Sequence, residues 1–483
     1  MRRRIMHLWF CLLVGSVLLA TPGSVSAQVG VSVQTGALAD GATYLIEVPP
    51  NWNGTLFLYS HGYVTPGGAN PAQDVGDSAT RLFMLASGFA LAGSSYATTG
   101  WAVQQALPDQ IAVLDLFRKL VGHPKQTIAW GHSLGGMITA GLIQRYPERF
   151  DAAMPMCGVL SGGVATWNTA LDGAFAFKTL LAPGSGLQVV NIANPLANLD
   201  LAEELILAAQ ATPQGRARLA LSAALSDVPG WFAPLSPEPA PTDFASQQMN
   251  QFLWDQQVDF PFVFAFRAEL EARAQGNPSW NTDVDYRRQL ERSADAAEVR
   301  ALYQQAGLDL DADLRILNET VRISADPQAT AYLKQNIIYN GEIHIPVLTL
   351  HTTGDGLVVP ENESAYRRTV DEEDNGQLLR RTFVSRAGHC AFTPAETIAA
   401  VQTLLGRLET GKWPHIAATN LNTAATALGP NFNIFATTQG LVPVPPAFVD
   451  FHPAPYLRPF DAESEECKFG FLCGDPFSPF HPH

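Results

Sequence analysis

Apolar runs of strand length alternate with helical stripes along two stretches of the chain. Thr55-Leu56-Phe57-Leu58-Tyr59-Ser60 and Phe89-Ala90-Leu91-Ala92-Gly93-Ser94 are continuous and short, the pattern of strands covered on both faces. After the second run, Leu107, Ile111, Leu114, Phe117 and Val121 recur at helical spacing. Thr127-Ile128-Ala129-Trp130 is the next strand, Met137, Leu142 and Ile143 stripe a helix that Pro147 stops, and Phe150 to Val159 supplies a further strand. Much later, Ile345 to His351 and Arg381 to Ser385 read as strands, and Thr393, Pro394 and Glu396 mark a helix start as N-cap, first helical residue and capping-box partner. Strands and helices in this alternation predict an α/β fold with a doubly wound, mostly parallel sheet.

Between the strand ending near residue 157 and the one leading to Asp355 lies far more chain than a crossover needs. Its runs at 201–209, 216–225, 243–257 and 313–320 are helical and acidic, which predicts a helical lid at 158–339, inserted between the sixth and seventh core strands. The expected divisions are then a signal peptide at 1–27, core at 28–157, lid at 158–339, core at 340–412 and a C-terminal segment at 413–483. That last segment loses periodicity and fills with proline, asparagine and aromatics, so it is expected to be extended and to pack on the core.

Met1-Arg2-Arg3-Arg4 followed by the apolar stretch from Leu8 to Ala20 and by Val25-Ser26-Ala27 has the form of a cleaved signal. It predicts a secreted or periplasmic protein. The signal carries three of the 30 basic residues, against 45 acidic residues in the chain, so nucleic acid and anionic membranes are poor partners. No later stretch is long and apolar enough for stable membrane insertion. Removing the signal also removes Cys11 and leaves Cys157, Cys390, Cys467 and Cys473, an even number in an oxidising compartment. Cys467 and Cys473 would close a short loop, and by elimination Cys157 would pair with Cys390 across the carboxyl edge of the sheet.

The candidate chemistry starts at Gly131-His132-Ser133-Leu134-Gly135. A strand feeds this pentapeptide and a helix follows it, the context of a nucleophile elbow in which small flanking residues let a serine sit on a strained turn. Partners follow in the order Ser, Asp, His, each just past a predicted strand: Asp355 after Ile345–His351, and His389 after Arg381–Ser385. The strand Thr55–Ser60 ends in His61-Gly62-Tyr63, where an oxyanion-hole donor belongs, so the backbone N–H groups of Tyr63 and Leu134 are the expected donors. With Gly-His-Ser-Leu-Gly-Gly as the local match, the chain resembles the α/β-hydrolase superfamily, specifically its secreted serine esterases and lipases, over roughly residues 29–157 and 340–410. Feruloyl esterases and tannases are similar in placing a cysteine directly after the catalytic histidine, but pair it with a cysteine beside the serine, where this chain has His132.

The resemblance implies a carboxylic ester hydrolase that works through an acyl-enzyme with no cofactor. The aromatic content of the insertion suggests a bulky, apolar or aromatic ester, with Trp101, Trp167, Phe260, Phe262, Phe264 and His132 as candidate pocket residues. His344 and His351 flank one strand, yet no carboxylate or cysteine spacing joins them into a metal site, and no metal is expected. Two other readings remain open: an aminopeptidase of the same superfamily, with acidic residues such as Glu203 and Glu204 meeting an amino terminus, and a catalytically silent ligand-binding protein on the same fold.

Overall fold

The computed structural model describes residues 30–460; the expected signal peptide and Cys467 and Cys473 lie outside these described residues. The strands are β1 (Ser32–Ala37), β2 (Thr43–Val48), β3 (Thr55–Ser60), β4 (Ala90–Ser94), β5 (Gln126–His132), β6 (Ala152–Met156), β7 (Val347–Gly354), β8 (Leu379–Ala387), β9 (Ile434–Thr437), β10 (Gly440–Pro443) and β11 (Phe448–Val449). Nine form one sheet in the order β1-β2-β4-β3-β5-β6-β7-β8-β11, while β9 and β10 make a separate hairpin. The six central strands are parallel. Every residue of β3, β4 and β6 is buried, which explains why these strands read as unbroken apolar runs rather than as alternation.

Helices cover both faces. On one side α1 (Ser78–Ala86) and the helix Pro394–Thr410 close a core around Trp130, Met154 and Leu350. On the other side α2 (Val103–Leu120) and α3 (Leu134–Arg145) pack over Leu58, Ala129 and Val347. The capping box expected at Thr393 and Glu396 is formed, with Pro394 at the start of the helix.

The chain leaves the sheet after β6 and returns at β7. All of the intervening helices, from α4 (Gly162–Leu181) to Pro327–Gln335, belong to the insertion. The insertion has apolar clusters of its own, among them one around Phe177, Phe260 and Phe264 and another around Leu221, Tyr286 and Tyr303. Its longest helical segment departs from the expectation of an ordinary helix at 243–257. It runs from Phe244 to Ala274, with five-residue π turns at Asp255–Asp259 and Phe262–Phe266. Pro261 between the two has no amide hydrogen to give to the preceding turn, and wide turns are one way for a helix to absorb that loss.

The C-terminal segment corrects the expectation of a purely extended tail. A helix forms at Ala418–Ala427 before the β9–β10 hairpin and the short edge strand β11, which pairs antiparallel with β8. Only Leu421 and Ala425 of that helix are buried. One i,i+4 pair is too thin a stripe to register as periodicity. Beyond β11 the chain does extend, and it meets the insertion where Arg458 donates to Asp172 at 2.7 Å.

Candidate active site

Ser133 stands at the junction of β5 and α3 with φ 58° and ψ −125°, a conformation that costs an L-residue on the order of 1–3 kcal/mol and persists only where neighbours enforce it. Its amide donates to the Met156 carbonyl at 2.9 Å, tying the turn to β6. The glycines around it are required by backbone proximity. A Cβ on Gly135 would strike the Ser60 and His61 carbonyls, one on Gly131 would strike Ser60 and Gly135, and one on Gly136 would come within 2.7 Å of Gly158. Leu134 contributes the first amide of α3, and such an amide has no acceptor within its own helix. The Tyr63 loop is held from beneath by His61, which is buried, stacked on Tyr96 at 3.9 Å, and faces the Gly62 and Ser95 carbonyls through Nδ1 and Nε2 at 2.7 and 3.0 Å. Burial pushes the His61 pKa below the ordinary histidine value. With both ring nitrogens held on backbone carbonyls, His61 shapes the loop rather than reacting.

Asp355 follows β7 and is fully buried. Its Oδ1 accepts from the Leu357 and Val358 amides at 3.1 and 3.0 Å, and its Oδ2 accepts from His389 Nδ1 at 2.7 Å. The carboxylate is thus fixed by backbone on one oxygen and spends the other on the imidazole. With Nδ1 donating, Nε2 of His389 carries the lone pair. His389 itself is placed by the loop after β8, where Gly388 donates to the Gly354 carbonyl at 3.0 Å and the Cys157–Cys390 disulfide joins the loop to the end of β6. Cys390 Sγ lies 3.4 Å from His389 Nε2. Among the described residues the single grouping of metal-type ligands is His389 with these two sulfurs. The sulfurs are bonded to each other, so only one free ligand remains.

A residue pair that sequence reasoning missed lies below Asp355. His351 is fully buried on β7, 3.1 Å from Glu363 Oε1 through Nδ1, 2.7 Å from the Val358 carbonyl through Nε2, and 3.7 Å from Asp355 Oδ2. Burial alone would lower its pKa, but the hydrogen bond and charge of Glu363, with the charge of Asp355, outweigh it and raise the value. Glu363 is held in turn by the Thr349 hydroxyl at 2.6 Å. The sequence signal was slight: His351 precedes Asp355 by four positions on a strand-like run, and its partner lies in the helix Asn362–Glu372.

Ser133 and Leu134 line a cavity of about 120 Å³ together with residues of the insertion. Trp101, Trp167, Phe260, Phe262 and Phe264 all border it, as does Tyr63, whose ring stands 5.0 Å from Phe262. His132 does not. It turns instead to Tyr59, with Nδ1 3.1 Å from the phenol oxygen, and to the Phe392 ring, and burial with the nearby His389 lowers its pKa to about 4. A neutral histidine beneath the elbow replaces the pocket residue expected from sequence. The acidic residues that do reach the cavity are Asp255 and Asp259, on the first π turn; Glu203 and Glu204 lie on the helix Pro195–Gln210 and do not border it.

This architecture has parallels among known proteins. A family model described as the prolyl oligopeptidase family matches residues 92–178, the stretch that contains β5, the elbow and α3. An o-phthalyl amidase from Xanthobacter agilis is 31% identical over 435 residues, covering 84% of this chain and 93% of the amidase. The chain belongs to the α/β-hydrolase superfamily, in one family with that amidase. Solved structures similar to this hydrolase include an esterase from Aspergillus oryzae (15% identity, 80% of each chain, TM-score 0.43) and feruloyl esterase B from Aspergillus oryzae (14% identity, 80% of this chain and 81% of that one, TM-score 0.38).

Proposed function

We propose that this hydrolase cleaves a carboxylic ester or amide through an acyl-enzyme, with Ser133 as nucleophile, His389 as general base and then acid, and Asp355 as the group that orients the imidazole. The observation that carries this reading is the strained elbow: a serine forced to positive φ borders an aromatic-walled cavity. As Ser133 Oγ bonds to the acyl carbon, its proton passes to His389 Nε2, and the same proton leaves with the departing alcohol or amine. Water then reverses the sequence and frees the acid. The Tyr63 and Leu134 amides would receive the oxyanion, and removal of a single such donor typically costs about 10²–10³ in rate.

The aromatic walls favour an acyl group with a ring. A relative named as an amidase supports an amide bond as a target beside the ester expected from the elbow sequence. The Cys157–Cys390 disulfide and the basic, then apolar N-terminal segment together support an oxidising compartment outside the cytoplasm.

The test is a series of p-nitrophenyl esters and matched p-nitroanilides with acetyl, hexanoyl and benzoyl acyl groups, run on wild type and Ser133→Ala. Wild type should prefer benzoyl, and the variant should lose at least about 10³-fold in kcat/KM. Equal activity of the two proteins would remove Ser133 from the chemistry, and the ester-to-anilide ratio reads the bond class directly.

A further inference from the structure

Resting on that serine-hydrolase reading, we propose that Asp255 and Asp259 form a receptor for a protonated amine on the acyl part of the substrate. The two carboxyls border the cavity from the π turn above Ser133. Neither has a hydrogen-bond partner among the described residues, and Asp259 Oδ2 is wholly enclosed as well as unpaired. Buried polar groups in folded proteins are almost always satisfied, and an unsatisfied carboxyl oxygen beside a cavity is the kind of exception that a ligand removes. Of the hydroxyls that share the wall, those of Thr169 and Ser222 already donate to backbone carbonyls.

Charge decides between ligand classes. Among the described residues no lysine, arginine or histidine borders the cavity, so a carboxylate on the substrate would enter without a countercharge from them, at a cost of several kcal/mol. An ammonium group fits. Burial pushes the Asp255 pKa up to about 8, and burial, with the charges of Asp255 and Asp355, also raises that of Asp259. An ammonium between the two carboxyls would offer each of them a charge-assisted hydrogen bond. The aromatic rings around it add cation–π attraction.

Position decides which part of the substrate carries the amine. His389, which delivers a proton to the leaving group, does not border the cavity. The leaving group therefore departs on the His389 side, and the cavity holds the acyl portion.

The test compares p-nitrophenyl esters of L-phenylalanine and 4-(aminomethyl)benzoic acid with those of 3-phenylpropanoic and 4-methylbenzoic acid, which lack only the amine, and with a 4-carboxybenzoyl ester. At least one amino ester should exceed its amine-free counterpart about tenfold or more in kcat/KM, and Asp255→Asn and Asp259→Asn should each bring that ratio close to one. A ratio of one in wild type, a ratio that survives both substitutions, or preference for the carboxylated ester would overturn the proposal while the amine-free esters still report a working hydrolase. If neither these esters nor the matched p-nitroanilides are turned over, the serine-hydrolase reading fails and the receptor falls with it. A readout without turnover is benzylammonium binding to Ser133→Ala by calorimetry. Binding should be present there and lost when Asp259→Asn is added; its absence in Ser133→Ala counts against the receptor.

Discussion

His351 serves the order of the site rather than its reaction. Its imidazole bridges Glu363 and Asp355 in a fully buried layer, and both ring nitrogens face oxygen acceptors, an arrangement only the protonated ring satisfies on both sides. Because the folded-state pKa is raised, the stabilisation is fully present below the unfolded value of about 6.5 and is lost as pH rises through the folded one. His351→Gln should thus be less stable than wild type by about 3 kcal/mol at pH 6, as for a broken buried pair, with the gap narrowing toward pH 9. Urea unfolding at the two pH values checks this, and a gap constant with pH would mean that the ring is neutral in the fold. Such a residue is hard to read from a chain. Ser133, Asp355 and His389 declare themselves because each sits at a strand end beside turn residues, whereas His351 lies inside an apolar strand and its partner lies in a separate helix. Asp255 and Asp259 look equally ordinary in sequence, since acids on a helix are normally solvated, and only the wide turn carries them inward.

At the scale of elements, the parallel strands were legible because burial on both faces makes each a short apolar block. β1 and β2 were not. β1 is mostly exposed and holds Gly36 against the Tyr44 ring, so neither an apolar block nor a clean alternation survives in it. The long helical segment Phe244–Ala274 was legible only in its first half, because Pro261 reads as a stop. The segment also docks on the core. Glu269 Oε2 accepts from the Trp101 amide at 3.0 Å while Arg273 braces the same carboxylate. Trp101 borders the cavity, so this contact sets the position of one aromatic wall. Glu269→Ala should cost about 1.5–3 kcal/mol, the usual value of a hydrogen bond to a charged group, and should raise KM for a benzoyl ester several-fold with a smaller change for acetyl. Unfolding curves and the two KM values test it, and an equal effect on both esters would mean that the contact acts on the core and not on the wall.

The whole molecule is a sheet whose two halves are separated in sequence by the insertion and rejoined at one edge. Ser133 comes from the first half; Asp355 and His389 come from the second. Pairing of β6 with β7 brings the halves together, and the Cys157–Cys390 bond spans 233 positions to hold them. The elimination argument on cysteine number pointed to this pairing from sequence, because sheet order places both residues at the carboxyl edge. The insertion's internal packing was not legible, since its aromatic residues serve its own core and the cavity wall together, as Phe260 and Phe264 do.

The same bond makes the chain tolerant of a break. Residues 235–243, between the helices Pro213–Ala224 and Phe244–Trp254, form an exposed loop with no helix or strand, the kind of site a protease nicks first. A cut there yields two fragments, each with part of the catalytic apparatus, yet the crosslink lies outside the cut on both sides. Limited proteolysis should therefore give a product that migrates as one species without reductant and as two with it, and the nicked form should still hydrolyse esters. Fragments that separate without reductant would mean that the bond had not formed.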